Sequence, residues 1–231
     1  MDVQIYFCSE NCLSIELINP NAGHSILGLK RFLDDKVLEG HADMVPTFET
    51  LNIFFDSGYA ICNNQLILTR IKSLVSTYLS DTSEAELNQT PIEIPVCYDQ
   101  SLSEDWGEII RLSGLRYEDI IHKHLSTVYQ VKMIGFTPGF PYMGIVDQAI
   151  RLQRKPNAGQ KVIAGSVGIA EAQTGIYPFD IYGGWYILGR TPLQIFVLNR
   201  EDPFLLKPGD WVRFKQIDLD TFWQMKRNEH A

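Results

Sequence analysis

The stretch from Gly135 to Pro192 constrains the fold of this chain more than any other part of it. It holds ten of the 17 glycines and five of the 11 prolines, mixed with aromatic and β-branched residues. That mixture is typical of short β-strands joined by tight turns. Because glycine lacks a Cβ atom, it adopts positive φ angles and lets the backbone approach other backbone or a ligand closely. The stretch therefore predicts several loops that converge on one place.

The overall charge of the chain restricts its possible partners. The 231 residues carry a net charge of −8, and no block of basic residues stands out. Nucleic acids and anionic membrane surfaces are therefore unfavourable partners. No apolar run approaches the ~20 residues of a membrane-spanning helix, and the first residues lack the pattern of a secretory signal. We expect a cytoplasmic protein.

Cysteine usage agrees with that compartment. The four cysteines are Cys8, Cys12, Cys62 and Cys97. Cys8 and Cys12 form a CxxxC pattern, but no second pair and no histidine follows at the spacing of a zinc site. We expect free thiols and no metal site.

The first part of the chain predicts a small two-layer α/β domain. Alternating apolar residues predict a hairpin at 3–7 and 13–17, and a further strand at 51–55. Helical spacing predicts one helix at 25–39 and a second that begins at Asn63 or Asn64. The order ββαβα places both helices on one face of an antiparallel sheet. A polar segment at 80–90 predicts the boundary between domains 1–88 and 89–231.

The second part predicts a β-barrel or sandwich with short helices at its start. After a strand at 92–96, Ser101 and Glu104 resemble a capping box before a short helix that ends at Gly114. A second short helix carries His124 on its apolar face. Further strands are predicted at 128–134, 161–169, 175–177, 185–189, 193–198 and 211–216, and a helical turn after 219. The predicted fold class is α+β.

Two residues are candidates for catalysis. His124 is either a hydrogen-bonded histidine of the core or a proton donor and acceptor at the edge of a pocket. Arg190 follows the apolar run 185–188, and its guanidinium either grips a carboxylate or forms a surface ion pair. Lys155 belongs to a small basic cluster at 151–155, for which a solvated loop is a better interpretation than a phosphate site.

The glycine-rich stretch supplies the candidate substrate-binding residues. Small hydroxyls and backbone N–H groups in such loops suit a carboxylate or phosphoryl oxygen, although Ser and Thr are also ordinary turn residues. Aromatic side chains there form either the wall of a pocket or part of the core. The candidates are Phe136, Pro138, Gly139, Tyr142, Gly165, Ser166, Gln173, Thr174, Tyr177 and Trp185.

Four long motifs carry a resemblance to a known family. They are GFTPGFPYMG at 135–144, AGSVGIAEAQTGIYP at 164–178, GGWYILGRTP at 183–192 and KPGDWVRF at 207–214. In this order and spacing they resemble the B-type subunit of 5-oxoprolinase, also called allophanate hydrolase subunit 1. The segment GLRYEDIIHKH at 114–124 adds support, because His124 matches a histidine of that family.

The resemblance implies a fold, an activity and partners. It implies a small N-terminal α/β domain followed by a cyclophilin-like β-barrel domain. It further implies a complex with a homologous C-type subunit and a separate A-type subunit, which opens 5-oxoproline to glutamate, or hydrolyses a related amide such as allophanate, at the expense of ATP. The ATP site is not assigned to this chain. The family also includes an inhibitor of a sporulation histidine kinase, so regulatory binding to a sensor kinase is the alternative.

The chain departs from the family pattern at a few loop positions. They are Ala158, Gly159, Ile163 and the pair Ile181–Tyr182. Because these residues lie on the loops expected to line the mouth of the barrel, they leave the substrate open and allow a divergent or inactive paralogue.

Overall fold

Residues 2–18, 24–80, 90–156 and 159–228 are described by a computed structural model. The chain divides into two units, Met1–Asn88 and Gln89–Ala231. The first unit contains β1 (Asp2–Ser9), β2 (Cys12–Ile18), α1 (Ile26–Asp34), β3 (His41–Pro46), β4 (Thr50–Phe55) and α2 (Ser57–Ser80). Its strands form one antiparallel sheet in the order β1-β2-β4-β3.

Alternation of apolar residues decides which face of this sheet is buried. Leu13 pairs with Ile53 and Ile15 with Leu51 across β2 and β4, and all four side chains are fully buried. The apolar stripes of α1 and α2 join them in one hydrophobic cluster. Both helices therefore cover one face of the sheet, as the sequence predicts.

Helix boundaries in this unit differ from the prediction. The hydroxyl of Ser25 accepts a hydrogen bond from Gly28 N–H and caps α1, but the helix ends at Asp34, and Val37 is 90% exposed. Helix α2 begins at Ser57, where Asp56 accepts from Tyr59 N–H. The predicted start at Asn63 is wrong: this residue has non-helical backbone angles and marks a kink inside α2.

The second unit is built around a closed barrel. Its elements are β5 (Ile92–Cys97), α3 (Trp106–Ser113), α4 (Tyr117–Leu125), β6 (Val128–Ile134), β7 (Pro141–Gly144), β8 (Gln160–Val162), β9 (Ser166–Ala170), β10 (Gln173–Ile176), β11 (Ile181–Gly183), β12 (Tyr186–Arg190), β13 (Trp211–Ile217) and α5 (Leu219–Asn228). The barrel has the order β10-β7-β6-β13-β5-β12-β9, and β8 pairs with β11 outside it. Neighbouring strands are antiparallel except β13 and β5, which are parallel.

Three local predictions in this unit are wrong. The predicted strand 161–169 is broken at Gly165, whose φ of +84° turns the chain between β8 and β9. The predicted strand 193–198 contributes only an isolated bridge between Phe196 and Phe204. The predicted capping box does not form, because Ser101 bonds the carboxylate of Asp99 instead.

The main architectural predictions are confirmed. The fold is α+β, with a small two-layer unit followed by a barrel. The four cysteines are free thiols.

Over the described ranges, no helix combines the length and the apolar character that crossing a bilayer requires. The predicted boundary segment lies mostly outside the described residues.

Candidate functional site

The glycine-rich loops meet in a cluster of aromatic rings. The ring of Phe140 lies 4.8 Å from that of Tyr142, 5.0 Å from that of Tyr177 and 5.3 Å from that of Trp185, each in edge-on geometry. A Cβ atom on Gly175 would come within 2.7 Å of the Phe140 ring. Glycine is therefore required here for packing, and Tyr177 and Trp185 are buried in the cluster.

Other residues of the first glycine loop support this cluster from outside. Phe136 has a φ of +63° and is 59% exposed, and its ring contacts those of Phe140 and Tyr177. Gly139 has a φ of +81°, and a Cβ atom there would lie 2.7 Å from Phe196. Pro138 lies in the turn between them. The geometry thus favours packing as the role of this loop, and substrate contact by it stays a prediction.

His124 lies inside the barrel with no exposed surface. Its Nδ1 is 2.8 Å from the hydroxyl of Tyr98, and its Nε2 is 2.9 Å from Oγ1 of Thr174. The Thr174 hydroxyl donates to the carbonyl of Gly168. The ring also stacks on Phe214, with centroids 4.7 Å apart.

The order of these hydrogen bonds assigns the tautomer of His124. Because the single Thr174 proton is donated to Gly168, Oγ1 accepts from Nε2–H, and Nδ1 accepts from the Tyr98 hydroxyl. Burial lowers the pKa of His124 from 6.5 to about 3, so the ring is neutral. The satisfied, buried ring favours the structural interpretation of His124 and Thr174, and a catalytic role stays a prediction.

A cleft of about 410 Å³ opens on the surface of the barrel unit. It is lined by residues 101–105, 155, 160–163, 166, 187 and 190. The strand register places Ser166 directly opposite Arg190 on β9 and β12. Gly165 makes this approach possible, because a Cβ atom there would lie 2.4 Å from the carbonyl oxygen of Thr191.

Arg190 is a charged residue of this cleft with a buried nitrogen that is unpartnered in the described part of the chain. Its Nε is buried without a hydrogen-bond partner among the described residues, and Nη2 makes one long contact of 3.4 Å to the carbonyl of Leu102. Burial lowers the pKa of Arg190, whereas the more distant Asp180 raises it. The structure describes no ion pair of Arg190 within 4.0 Å. A guanidinium in this state favours an incoming anion.

A buried ion pair also lines the cleft. Lys155 Nζ lies 2.6 and 2.7 Å from the two carboxylate oxygens of Asp105 and 2.9 Å from Oε1 of Gln160. The carboxylate also accepts from Ile187 N–H at 2.7 Å. The side chains of Lys155 and Asp105 are 8% and 11% exposed. The expectation of a solvated loop at Lys155 is therefore wrong, because the lysine is fully engaged by a carboxylate.

The lining of the cleft carries a small positive charge within an acidic protein. Lys155, Lys161 and Arg190 face Glu104 and Asp105, which leaves a net charge of +1. Lys161 is already paired with Asp180 at 3.1 Å. The arrangement can hold a small anion at Arg190. In the described ranges, no group of three or more His, Cys, Asp or Glu side chains is placed to hold a metal ion.

The predicted site residues therefore separate into three places. Arg190 and Ser166 lie in the cleft with Gly165 beside them, while His124 and Thr174 lie in the barrel interior. The remaining candidates belong to the aromatic cluster and its loop, except Gln173, which lies half-buried at the start of β10. Sequence reasoning missed the cleft residues Ser103, Asp105, Gln160 and Lys161.

The positions at which this chain departs from the family pattern lie in different parts of the structure. Ile163 lines the cleft and is 44% exposed. Tyr182, on β11, is 69% exposed. A Cβ atom on Gly159 would meet no atom within 4 Å, and Ala158 lies outside the described residues. Only one of the described departures therefore touches the cleft.

Comparison with known proteins gives relatives along most of the chain. The model of the carboxyltransferase domain, subdomain C and D, matches residues 3–206. The chain is 34% identical over 221 residues to the B-type subunit of 5-oxoprolinase from Bacillus subtilis (strain 168), which covers 93% of this chain and 92% of that relative. It is 42% identical over 123 residues to the B-type subunit of 5-oxoprolinase from Escherichia coli O157:H7, covering 53% and 56%.

Solved structures agree with the fold. The crystal structure of TTHA0988 is 33% identical and superposes with a TM-score of 0.73, covering 90% of this chain and 40% of that one. The chain thus spans less than half the length of TTHA0988. The urea amidolyase of K. lactis has a TM-score of 0.66 at 16% identity, covering 98% of this chain and 15% of that one, which shows the likeness of fold alone. The chain belongs to the family of the carboxyltransferase domain, subdomain C and D, together with proteins named as the B-type subunit of 5-oxoprolinase.

Proposed function

We propose that this chain is one component of an ATP-dependent amidohydrolase complex that opens 5-oxoproline to glutamate. The observation that carries the proposal is the similarity to the B-type subunit of 5-oxoprolinase from Bacillus subtilis over 92% of that relative's length. Likeness along both units, rather than along one motif, supports a shared role. The word subunit in that name supports partners, which we take to be a homologous C-type subunit and a separate A-type subunit.

The cleft of the barrel unit supports the same proposal. A small cyclic amide with one carboxylate needs an anion partner, polar groups for the amide and an apolar wall for the ring. Arg190 supplies the anion partner, Ser166 and Gln160 supply polar groups, and the exposed side chain of Ile163 supplies apolar surface. The cleft volume of about 410 Å³ lies in the range typical of small-molecule sites.

The residues of the cleft do not fit ATP. A triphosphate needs several cations or a nest of backbone N–H groups, but Lys155 and Lys161 already pair with carboxylates. The helix end at the cleft, that of α3, begins beside the carboxylate of Asp105. We therefore derive no step of ATP chemistry on this chain, and we place the use of ATP in the complex as a whole.

Reconstitution of the complex tests the proposal. The chain is expressed together with the A-type and C-type subunits of the same source, and glutamate release from 5-oxoproline is measured with and without ATP. We expect release only in the presence of ATP and of all three subunits. Omission of this chain from an otherwise complete mixture is the control. A complete mixture that is inert, while the complex from a relative is active in the same assay, refutes the proposal for this protein.

A further inference from the structure

We propose that the cleft around Arg190 binds the carboxylate of a small monoanionic ligand, and that ATP binds elsewhere in the complex. The inference rests on the proposed function where it names 5-oxoproline as that ligand. Its physical basis is the state of Arg190, which is independent of the name of any relative.

Arg190 carries a positive charge that few neighbouring groups compensate. A guanidinium offers five N–H donors and remains charged in proteins. In the described structure it has one contact, of 3.4 Å, to the carbonyl of Leu102, and its Nε is buried without a partner. A partly buried cation without a counter-ion is unfavourable. A carboxylate that reaches the terminal nitrogens would relieve this cost through charge-assisted hydrogen bonds.

The two lysines that line the cleft already pair with carboxylates. Lys155 is held by both carboxylate oxygens of Asp105, and Lys161 is held by Asp180. Asp180 is further fixed by a hydrogen bond from Ala164 N–H at 2.9 Å. Among the described residues, Arg190 is therefore the cation of the cleft that lacks a carboxylate within 4.0 Å, and a carboxylate on the ligand can pair with it.

The charges of the cleft disfavour a nucleotide. ATP brings several negative charges, whereas the lining offers a net charge of +1 and includes Glu104 and Asp105. The N-terminus of a helix is the usual backbone site for phosphate. At α3 the N-cap residue is Asp105. Its carboxylate makes no hydrogen bond to the first amides of the helix, but its negative charge so close to them would repel a phosphate. A monoanion held at Arg190 brings a single negative charge, which the lining accommodates better than a triphosphate.

The remaining lining suits a small ring. Ile163 provides exposed apolar surface in the cleft, and Ser166 pairs with Arg190 in the strand register. Ile163 is 44% exposed and is one of the positions at which this chain departs from its family. An isoleucine there adds apolar contact for ring methylenes, which favours a carboxylate on a ring over a more polar chain.

Three small ligands separate the contribution of the carboxylate to binding from that of the cyclic amide. Binding of 5-oxoproline, of 2-pyrrolidinone and of cyclopentanecarboxylate to the full chain is measured by calorimetry, alone and in the reconstituted complex. The first ligand has both the amide and the carboxylate, the second has only the amide, and the third has only the carboxylate. We expect both carboxylates to bind about 10- to 100-fold more tightly than 2-pyrrolidinone.

The substitution Arg190→Met tests the assigned partner. We expect it to abolish the advantage of the two carboxylates and to leave the affinity for 2-pyrrolidinone unchanged. The matched control is Lys215→Met, since Lys215 is 66% exposed and lies outside the cleft. Because Arg190 lacks an ion-pair partner, its loss should not lower the urea midpoint of unfolding. A drop of that midpoint together with unchanged ligand preference would show a structural arginine and overturn the inference.

Other outcomes test the carboxylate site, the exclusion of ATP and the proposed function separately. Equal affinity for all three ligands, or no binding of any carboxylate alone or in the complex, overturns the carboxylate site. Competition between ATP and 5-oxoproline for this cleft, lost in Arg190→Met, overturns the exclusion of the nucleotide. Arg190-dependent binding of cyclopentanecarboxylate by a complex that releases no glutamate from 5-oxoproline leaves the carboxylate site standing and refutes the proposed function alone.

Discussion

Replacement of Lys155 by methionine removes the cation of the buried ion pair beside the cleft. Asp105 would keep one hydrogen bond, from Ile187 N–H at 2.7 Å, and would lose two contacts of 2.6 and 2.7 Å to the ammonium group. Because the side chain of Asp105 is only 11% exposed, water replaces few of these lost contacts. Loss of one partner from a buried pair costs about 3–5 kcal/mol of unfolding free energy.

Tryptophan fluorescence makes the effect measurable in the barrel unit alone. All four tryptophans belong to that unit: Trp106, Trp185, Trp211 and Trp223. For a urea slope near 2 kcal/mol per M, a loss of about 3–5 kcal/mol lowers the midpoint by roughly 1.5–2.5 M. The exposed pair of Lys215 and Glu93, with an N–O distance of 3.5 Å, offers the matched control. Lys215→Met should change the free energy of unfolding by less than about 0.5 kcal/mol.

A double variant separates lost charge from lost packing. In Lys155→Met with Asp105→Asn, a neutral amide oxygen still accepts from Ile187 N–H, and no uncompensated charge remains. We expect the double variant to recover more than half of the loss. If Lys155→Met behaves like Lys215→Met, or if the double variant is less stable than the single one, the reasoning about the buried charge is wrong.

Further expectations concern the barrel interior and the Gly165 turn. Thr174→Val leaves the Nε2–H group of His124 without an acceptor and should lower the free energy of unfolding by about 1–3 kcal/mol. Thr174→Ser keeps the hydroxyl and should lower it by less. Urea unfolding followed by tryptophan fluorescence compares the two variants, and equal losses would contradict the assigned tautomer. Gly165→Ala places a Cβ atom 2.4 Å from a backbone oxygen at a φ of +84°, so we expect a loss of at least about 1 kcal/mol in the same assay, and an unchanged midpoint would contradict it. The pKa of His124 is about 3 in the folded state against 6.5 ordinarily. Between these two pH values, His124 is therefore protonated in the unfolded state and neutral in the folded state. The free energy of unfolding should therefore fall as the pH is lowered from 6.5 toward 3, by up to ~1.4 kcal/mol per pH unit from this group. A His124→Gln variant should lack this contribution to the pH dependence. Unfolding midpoints of both proteins at pH 7.5, 6 and 5 test the expectation.

Local patterns predict the fold where the burial of an element is one-sided. The strands β1 and β13 show alternating burial, and their positions follow from the matching alternation in their sequences. Strand β7 was missed because Pro141–Gly144 is short and lacks alternation. Its pairing with β6 and β10 supplies the hydrogen bonds that make it a strand. Such an element depends on partners far along the sequence, which no local pattern contains.

The candidate site could be predicted only in part for the same reason. Arg190 and Ser166 are predictable candidates because a guanidinium after an apolar run and a hydroxyl in a glycine-rich loop both suit an anion. Asp105 and Lys155 are 50 residues apart in sequence, and each alone looks like an ordinary surface charge. Their pairing follows from closure of the barrel, and so does the hydrogen bond between His124 and Thr174, also 50 residues apart.

The parallel pairing of β13 with β5 sets the order in which the barrel unit can be completed. Val212 pairs with Ile92 and Ile217 with Cys97, so the two strands that close the barrel are about 120 residues apart in synthesis. At roughly 5–20 residues per second, β5 waits about 6–24 s for its partner on the ribosome. During that time its apolar side chains and its unpaired edge are open to aggregation. The protein is therefore expected to depend on chaperones during synthesis, and a pause in translation before Trp211 should lower its soluble yield.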